Sequence, residues 1–189
     1  IVRLTGPNWE RSTPTAQEMA AWVKSLKTES GGLLEYVQVW NEPNIVYLDA
    51  VNRDFVDPKT YAKYVVDFNT ALGDDKINVI SAGLSPGDGF TNQGNKDRID
   101  FYTYVDELIA YPGFLKAIDF WGRHVYDTNA PNNNEGKCDV DVCGEGIVGY
   151  KYDLKKIKAN ADGAKIKIII SEFSYREIYR KYLDGKDTQ

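Results

Sequence analysis

The chain switches back and forth between two hydrophobic periods. Short apolar runs begin near residues 36, 77, 118 and 166, and stretches with helical spacing fall between them. The repeat is about 40 residues, enough for a strand, a helix and two connections. A strand that returns through a helix enters the sheet as a parallel neighbour. The pattern therefore predicts a parallel sheet with helices packed outside it.

The punctuation agrees. Ile1–Thr5 reads as a strand. Pro14 suits a first helical turn, and Thr15-x-x-Glu18 has the form of a capping box. Met19, Trp22, Val23 and Leu26 then mark one apolar face, and Gly31-Gly32 ends it. After the run Tyr36–Trp40, Asp57-Pro58 opens a second helix with face Tyr61, Tyr64, Val65, Phe68 and Leu72, closed by Gly73. Ile77–Ile80 is the next strand. A third helix shows Phe101, Tyr104, Val105 and Leu108 and stops near Pro112-Gly113. Ile118–Tyr126 is a strand, residues 149–162 a lysine-rich helix with a solvated basic face, and Ile166–Ile170 the last strand. Ile178–Leu183 reads as the start of another helix.

Two architectures fit five strands and four helices: a piece of a (β/α)8 barrel and a doubly wound open sheet. The open sheet predicts a glycine-rich phosphate turn after an early strand. Gly87-x-Gly89 is isolated and lacks the rest of that fingerprint.

Bulk properties narrow the function. With 28 acidic and 23 basic residues the formal charge is −5, and no basic stripe is visible, which argues against nucleic acid as a partner. No apolar stretch approaches the roughly 20 residues that cross a bilayer. No signal-peptide pattern stands at Ile1, which leaves a removed leader open. Cys138 and Cys143, in a chain with 1 histidine, make a poor zinc site. A disulfide, implying an extracellular or secreted protein, and a pair of free thiols both remain open. Aromatic residues make up 13% of the chain, which suits sugar stacking and an ordinary core equally.

The chemistry concentrates at two glutamates. Glu42 lies in Trp40-Asn41-Glu42-Pro43-Asn44 and Glu172 in Ile170-Ser171-Glu172-Phe173-Ser174-Tyr175, each directly after a strand. Carboxylates at the C-terminal ends of strands in one barrel converge on one cleft, which is what glycoside hydrolysis needs.

These strings resemble the clan A glycoside hydrolases, retaining enzymes on the (β/α)8 barrel, over most of the chain. In that clan an Asn-Glu-Pro motif ends the fourth strand and a second Glu ends the seventh. Here two strands separate the two glutamates, as that count requires. His124-Val125-Tyr126 looks like the His-x-Tyr often found on the sixth strand, and Ser81–Pro86 is similar to fifth-strand segments. The resemblance implies that Glu42 is the acid/base and Glu172 the nucleophile, about 5–5.5 Å apart. It implies that Asn41 donates to the sugar 2-hydroxyl, Tyr126 holds Glu172, and His124 orients substrate or a carboxylate. Trp40, Trp121 and Trp9 are candidates for stacking on sugar rings, the first two equally for the core, and Asp88 and Asn92 for loop contacts. No metal or organic cofactor is required.

By the same count the chain, residues 1–189, is an incomplete barrel domain that lacks strands 1, 2 and 8. A complete barrel typically takes about 250 residues. Five parallel strands leave two open edges and an uncovered inner face. Three readings stay open: part of a larger enzyme, a barrel completed by another chain, and a truncated relative without catalysis. The expected function is a retaining glycosidase acting on β-linked poly- or oligosaccharides. Its rivals are a non-catalytic carbohydrate-binding or structural protein and, more weakly, a metal-dependent barrel hydrolase.

Overall fold

A computed structural model describes residues 2–4, 14–44, 56–84, 101–127 and 149–175, without the side chains of Arg3, Leu4, Tyr126, Asp127, Ser174 and Tyr175. Five strands form one sheet: β1 (Val2–Leu4), β2 (Tyr36–Val39), β3 (Asn78–Ile80), β4 (Phe120–Asp127) and β5 (Lys167–Tyr175). Every neighbouring pair is parallel, and spatial order follows chain order. A doubly wound sheet reverses its strand order partway across. This sheet does not, so the fold is α/β and the described part is a five-stranded arc of a (β/α)8 barrel. The helices α1 (Ala16–Glu29), α2 (Pro58–Leu72), α3 (Phe101–Ala110) and α4 (Tyr150–Ala159) connect successive strands.

Helix ends follow from named residues. Thr15 is the N-cap of α1: its hydroxyl accepts from the Glu18 N–H at 3.2 Å, and its own N–H donates to the Glu18 carboxylate at 2.8 Å. Pro14 therefore stands before the cap rather than in the first turn, and its carbonyl accepts from the Tyr64 hydroxyl. At the other end Gly31 (φ 65°) and Gly32 (φ 89°) turn the chain, and the Gly32 N–H reaches back to the Lys27 carbonyl. Asp57 caps α2 by accepting from the Lys59 and Thr60 N–H groups, with Pro58 as the first helical residue.

The core lies between the sheet and the helices. Val37, Val39, Val79 and Trp121 face outward into it, and Phe68 and Leu108 are among the helix residues that meet them. The apolar stripe of α1 differs from its expected form. Ala16, Ala20 and Val23 are buried, Met19 and Leu26 lie at the margin, and Trp22 is 50% exposed. Small alanines carry the contact, so the stripe is narrow and Trp22 falls outside it.

On the outer face of β4, Arg123 donates to Asp153 of α4 at 2.5 Å, and the Trp121 indole N–H donates to the same carboxylate oxygen. Both charged groups are buried. Burial pushes the Asp153 carboxyl up, against the pull of Arg123 and of the indole N–H. The Arg123 guanidinium also lies over the Phe101 ring of α3 at 4.9 Å, so one buried cluster joins β4, α3 and α4.

Beyond its first residues β5 departs from expectation. It continues through Glu172 to Tyr175 and stays paired with β4 throughout. Its outer face is thinly covered: Phe173 is 73% exposed. Among the described residues no helix is long and apolar enough to cross a membrane. Trp9, Asp88, Asn92, Cys138, Cys143 and the stretch 178–183 lie outside the described residues.

The Asp57 cap gives a measurable pH signature. Burial raises its carboxyl, but the hydrogen bonds from Thr60 and Lys59 outweigh this and hold it below the usual carboxylate range. A lowered folded-state value means stability that is present above the ordinary carboxylate pKa and lost as pH falls through the folded one. Asp57→Ala is therefore expected to cost about 1 kcal/mol in urea unfolding at pH 7. The difference from the parent shrinks at pH 3.

Candidate active site

The first carboxylate is positioned by a strained turn. β2 ends at Val39, and the next residues alternate into the left-handed region: Trp40 at φ 75° and Glu42 at φ 43°. For side chains this large such angles cost on the order of 1–3 kcal/mol each, and they persist only where neighbours fix them. The Glu42 N–H donates to the Gly83 carbonyl at 3.1 Å, the Gln38 side chain donates to the Trp40 carbonyl at 3.2 Å, and the Val56 N–H donates to the Pro43 carbonyl. The Glu42 side chain is thereby held inside the protein, 7% exposed.

Just below this turn the ladder between β2 and β3 stops at Gln38 and Ile80. The Tyr61 hydroxyl takes over. It donates to the Val39 carbonyl at 2.9 Å and accepts from the Ala82 N–H at 2.6 Å. One phenol on α2 thus satisfies an acceptor at the end of β2 and a donor just after β3, and burial pushes its ionisation well above the usual tyrosine range. In the sequence Tyr61 is legible only as part of an apolar helix face. Its polar role has no local signal.

The second carboxylate depends on a bulge. Arg123 pairs with Ile170, but His124 pairs with Glu172, so Ser171 is the extra residue in β5. Without it His124 would face Ser171, and Glu172 would pair with Val125 on the other face of the sheet. A single inserted residue moves every later side chain across the sheet. Here it puts Glu172 on the face of His124.

His124 fills a slot between the two. Its ring is fully buried. Its Nδ1 lies 2.9 Å from Glu42 Oε1 and 3.6 Å from Glu172 Oε2. The opposite edge of the ring abuts Gly83, where an added Cβ would come within 2.1 Å of Cδ2 and 2.3 Å of Nε2. No side chain other than hydrogen fits at position 83 with the ring in place. Ligand atoms from Glu42, His124 and Glu172 all lie within 4.8 Å of one another, and the Glu172 side chain is 29% exposed. The pair is thus buried on one side and open on the other.

The remaining candidates divide. Asn41 is half-buried between Trp40 and Glu42. Trp40 leans on α2, with its ring edge against Tyr64 at 5.4 Å. Trp121 is not brought to the site. Register alternation along β4 sends it to the helix side, where it is buried against Phe114 and bonded to Asp153. Of the two readings open for it, sugar stacking and core, the structure places Trp121 in the core and not at the site. Tyr126 follows His124 by two in β4 and pairs with Ser174, but its side chain is outside the described residues, as is Trp9. Glu42, His124 and Glu172 could also hold a cation, each offering one ligand atom.

No family model matches the chain, and no curated protein matches it. Among solved structures it is similar to Cel44A, a family 44 endoglucanase from Clostridium thermocellum, at 14% identity and a TM-score of 0.53. That likeness covers 88% of this chain and 44% of the other. It is also similar to AbfB, a family 51 α-L-arabinofuranosidase from Bifidobacterium longum, at 12% identity and a TM-score of 0.55, over 99% of this chain and 38% of the other. The chain thus spans less than half the length of these neighbours, and what it shares with them is a glycosidase-like fold.

Two substitutions probe the supports. Gly83→Ala is expected to cost about 1–3 kcal/mol in denaturant unfolding, because ring or backbone must shift. Since the chain has 1 histidine, its imidazole NMR signals are assigned by inspection, and they move in this variant. Tyr61→Phe leaves a buried carbonyl and N–H unsatisfied and is expected to cost about 1–3 kcal/mol by the same measurement.

Proposed function

We propose that this chain carries the catalytic centre of a retaining glycoside hydrolase that cleaves β-linked poly- or oligosaccharides, with Glu42 as acid/base and Glu172 as nucleophile. The observation that carries this reading is the convergence of the two carboxylates on His124, with all three ligand atoms within 4.8 Å. A direct-attack mechanism needs carboxyls about 5–5.5 Å apart, whereas an inverting one needs room for a water between them. The surroundings also differ: Glu42 is buried and Glu172 partly open. Unlike surroundings are what separate the protonation states of a catalytic pair.

The steps follow from these positions. Glu172 attacks the anomeric carbon as Glu42 gives its proton to the departing glycosidic oxygen. The C–O bond breaks and a glycosyl ester forms on Glu172. Glu42, now a carboxylate, takes a proton from water, and the resulting hydroxide attacks the same carbon and frees Glu172. Asn41 and Tyr126 would bind the sugar and the nucleophile. His124 would fix the direction in which Glu42 points. Neither metal nor organic cofactor enters these steps.

The partner on this reading is a carbohydrate, the place of action extracellular, and the rest of the barrel wall comes from further polypeptide, in the same chain or another. The two neighbours are named for different glycosidic activities, so the likeness of fold does not choose a substrate. The rival is a non-catalytic carbohydrate-binding or structural protein on a partial barrel, since what the chain shares with these neighbours is the fold alone.

Turnover separates the two. On a panel of activated aryl glycosides, Glu172→Gln is expected to lose hydrolysis while keeping sugar binding. Glu42→Gln should keep the first step on good leaving groups, which need no proton, and should yield glycosyl azide when azide is supplied. Sugar binding without hydrolysis by the parent protein would support the rival. Hydrolysis retained in Glu172→Gln would sink the nucleophile assignment.

A further inference from the structure

We propose that Glu42, His124 and Glu172 form a site for a borderline divalent transition cation of the zinc and cobalt class, and that its occupation shuts off the glycosidase reaction. The first half stands on geometry alone; the second rests on the function proposed above. The donor set is one imidazole nitrogen and two carboxylate oxygens, a combination that suits zinc, cobalt and their neighbours. Calcium and magnesium favour oxygen ligands throughout and are poorly served by the imidazole.

Spacing supports the assignment. Ligand atoms about 2.0–2.2 Å from a tetrahedral ion lie about 3.4 Å from one another. His124 Nδ1 is 2.9 Å from one carboxylate and 3.6 Å from the other. The ring cannot swing away, because Gly83 backs its far edge. Glu172 lies on the open side, its side chain 29% exposed, where solvent can complete the coordination. Two carboxylate charges match the charge of the ion. Coordination uses the Nδ1 lone pair, so the imidazole proton sits on Nε2, and any proton on Nδ1 or the carboxyls leaves to solvent.

The consequence for the reaction is direct. A coordinated Glu172 no longer has its lone pair free for the anomeric carbon, and a coordinated Glu42 carries no proton for the leaving oxygen. One cation thereby blocks both steps.

Cobalt(II) titration in a non-coordinating buffer, followed by visible absorption, tests the site without any substrate. The expected result is one saturable equivalent with intensified d–d bands, displaced by zinc. Glu172→Gln and His124→Asn, each with a parental circular dichroism spectrum, should bind at least about tenfold more weakly. Absence of stoichiometric binding, or unchanged affinity in Glu172→Gln, overturns the site. So does a thiolate-to-cobalt charge-transfer band, which would place the ion at Cys138 and Cys143. In parallel, aryl-glycoside hydrolysis by metal-free protein should fall with stoichiometric zinc and return with chelator. Hydrolysis unaffected by bound zinc overturns the exclusion. Cobalt binding in a protein with no hydrolysis at all would contradict the glycosidase reading and leave the cation site standing.

Discussion

The position of one imidazole ring organises the described part of this protein. His124 is enclosed, with one edge against the backbone of Gly83 and Nδ1 turned to both Glu42 and Glu172. Each contact is made by a different segment, the turn after β2, the segment after β3 and the bulged part of β5, and β4 carries the ring itself. Moving the ring would disturb all four at once. Such mutual dependence is how a protein holds side chains in a geometry that no single segment prefers.

The surrounding devices meet the same demand. The ladder between β2 and β3 stops at Gln38 and Ile80, and the backbone groups beyond it need other partners. The Tyr61 hydroxyl bridges the ends of β2 and β3. The Ser81 hydroxyl accepts from the Gly122 N–H, and the Asp119 carboxylate from the Val79 N–H, between β3 and β4. Gly122 must be glycine for the reason that Gly83 must: a Cβ there would lie 2.2 Å from the Ser81 carbonyl. Left-handed backbone at Trp40 and Glu42 is tolerated because this network fixes it. On the outer face, the Arg123–Asp153 pair ties β4 to α4 directly beside His124. Removing one member of such a pair leaves a buried charge and is typically costly, about 3–5 kcal/mol.

Much of this was legible in the sequence. Caps and glycines placed α1 and α2, because Thr15-x-x-Glu18 and Asp57-Pro58 act through their own backbone neighbours. Periodicity found the strands and their parallel order. The string around Glu42 was legible as lying directly after a strand. What stayed hidden was non-local. The extension of β5 past Glu172 and the bulge at Ser171 depend on pairing with β4. The slot at Gly83 depends on a ring 41 positions away in the chain. Trp121 reads the same for core and for cleft until the register of β4 assigns its face. Tyr61 reads as apolar because a phenol's hydroxyl matters only when two strand ends meet it.

Covalent trapping tests the central claim, that these converging carboxylates form a catalytic pair. The protein is incubated with a panel of activated 2-deoxy-2-fluoro glycosides, pyranosyl and furanosyl, which form the glycosyl ester quickly and release it slowly. Intact mass and peptide mapping then locate the adduct. The account predicts one added sugar, attached to Glu172 and absent when a competing oligosaccharide protects the site. An adduct on any other carboxylate, or no adduct from any member of the panel, would contradict it.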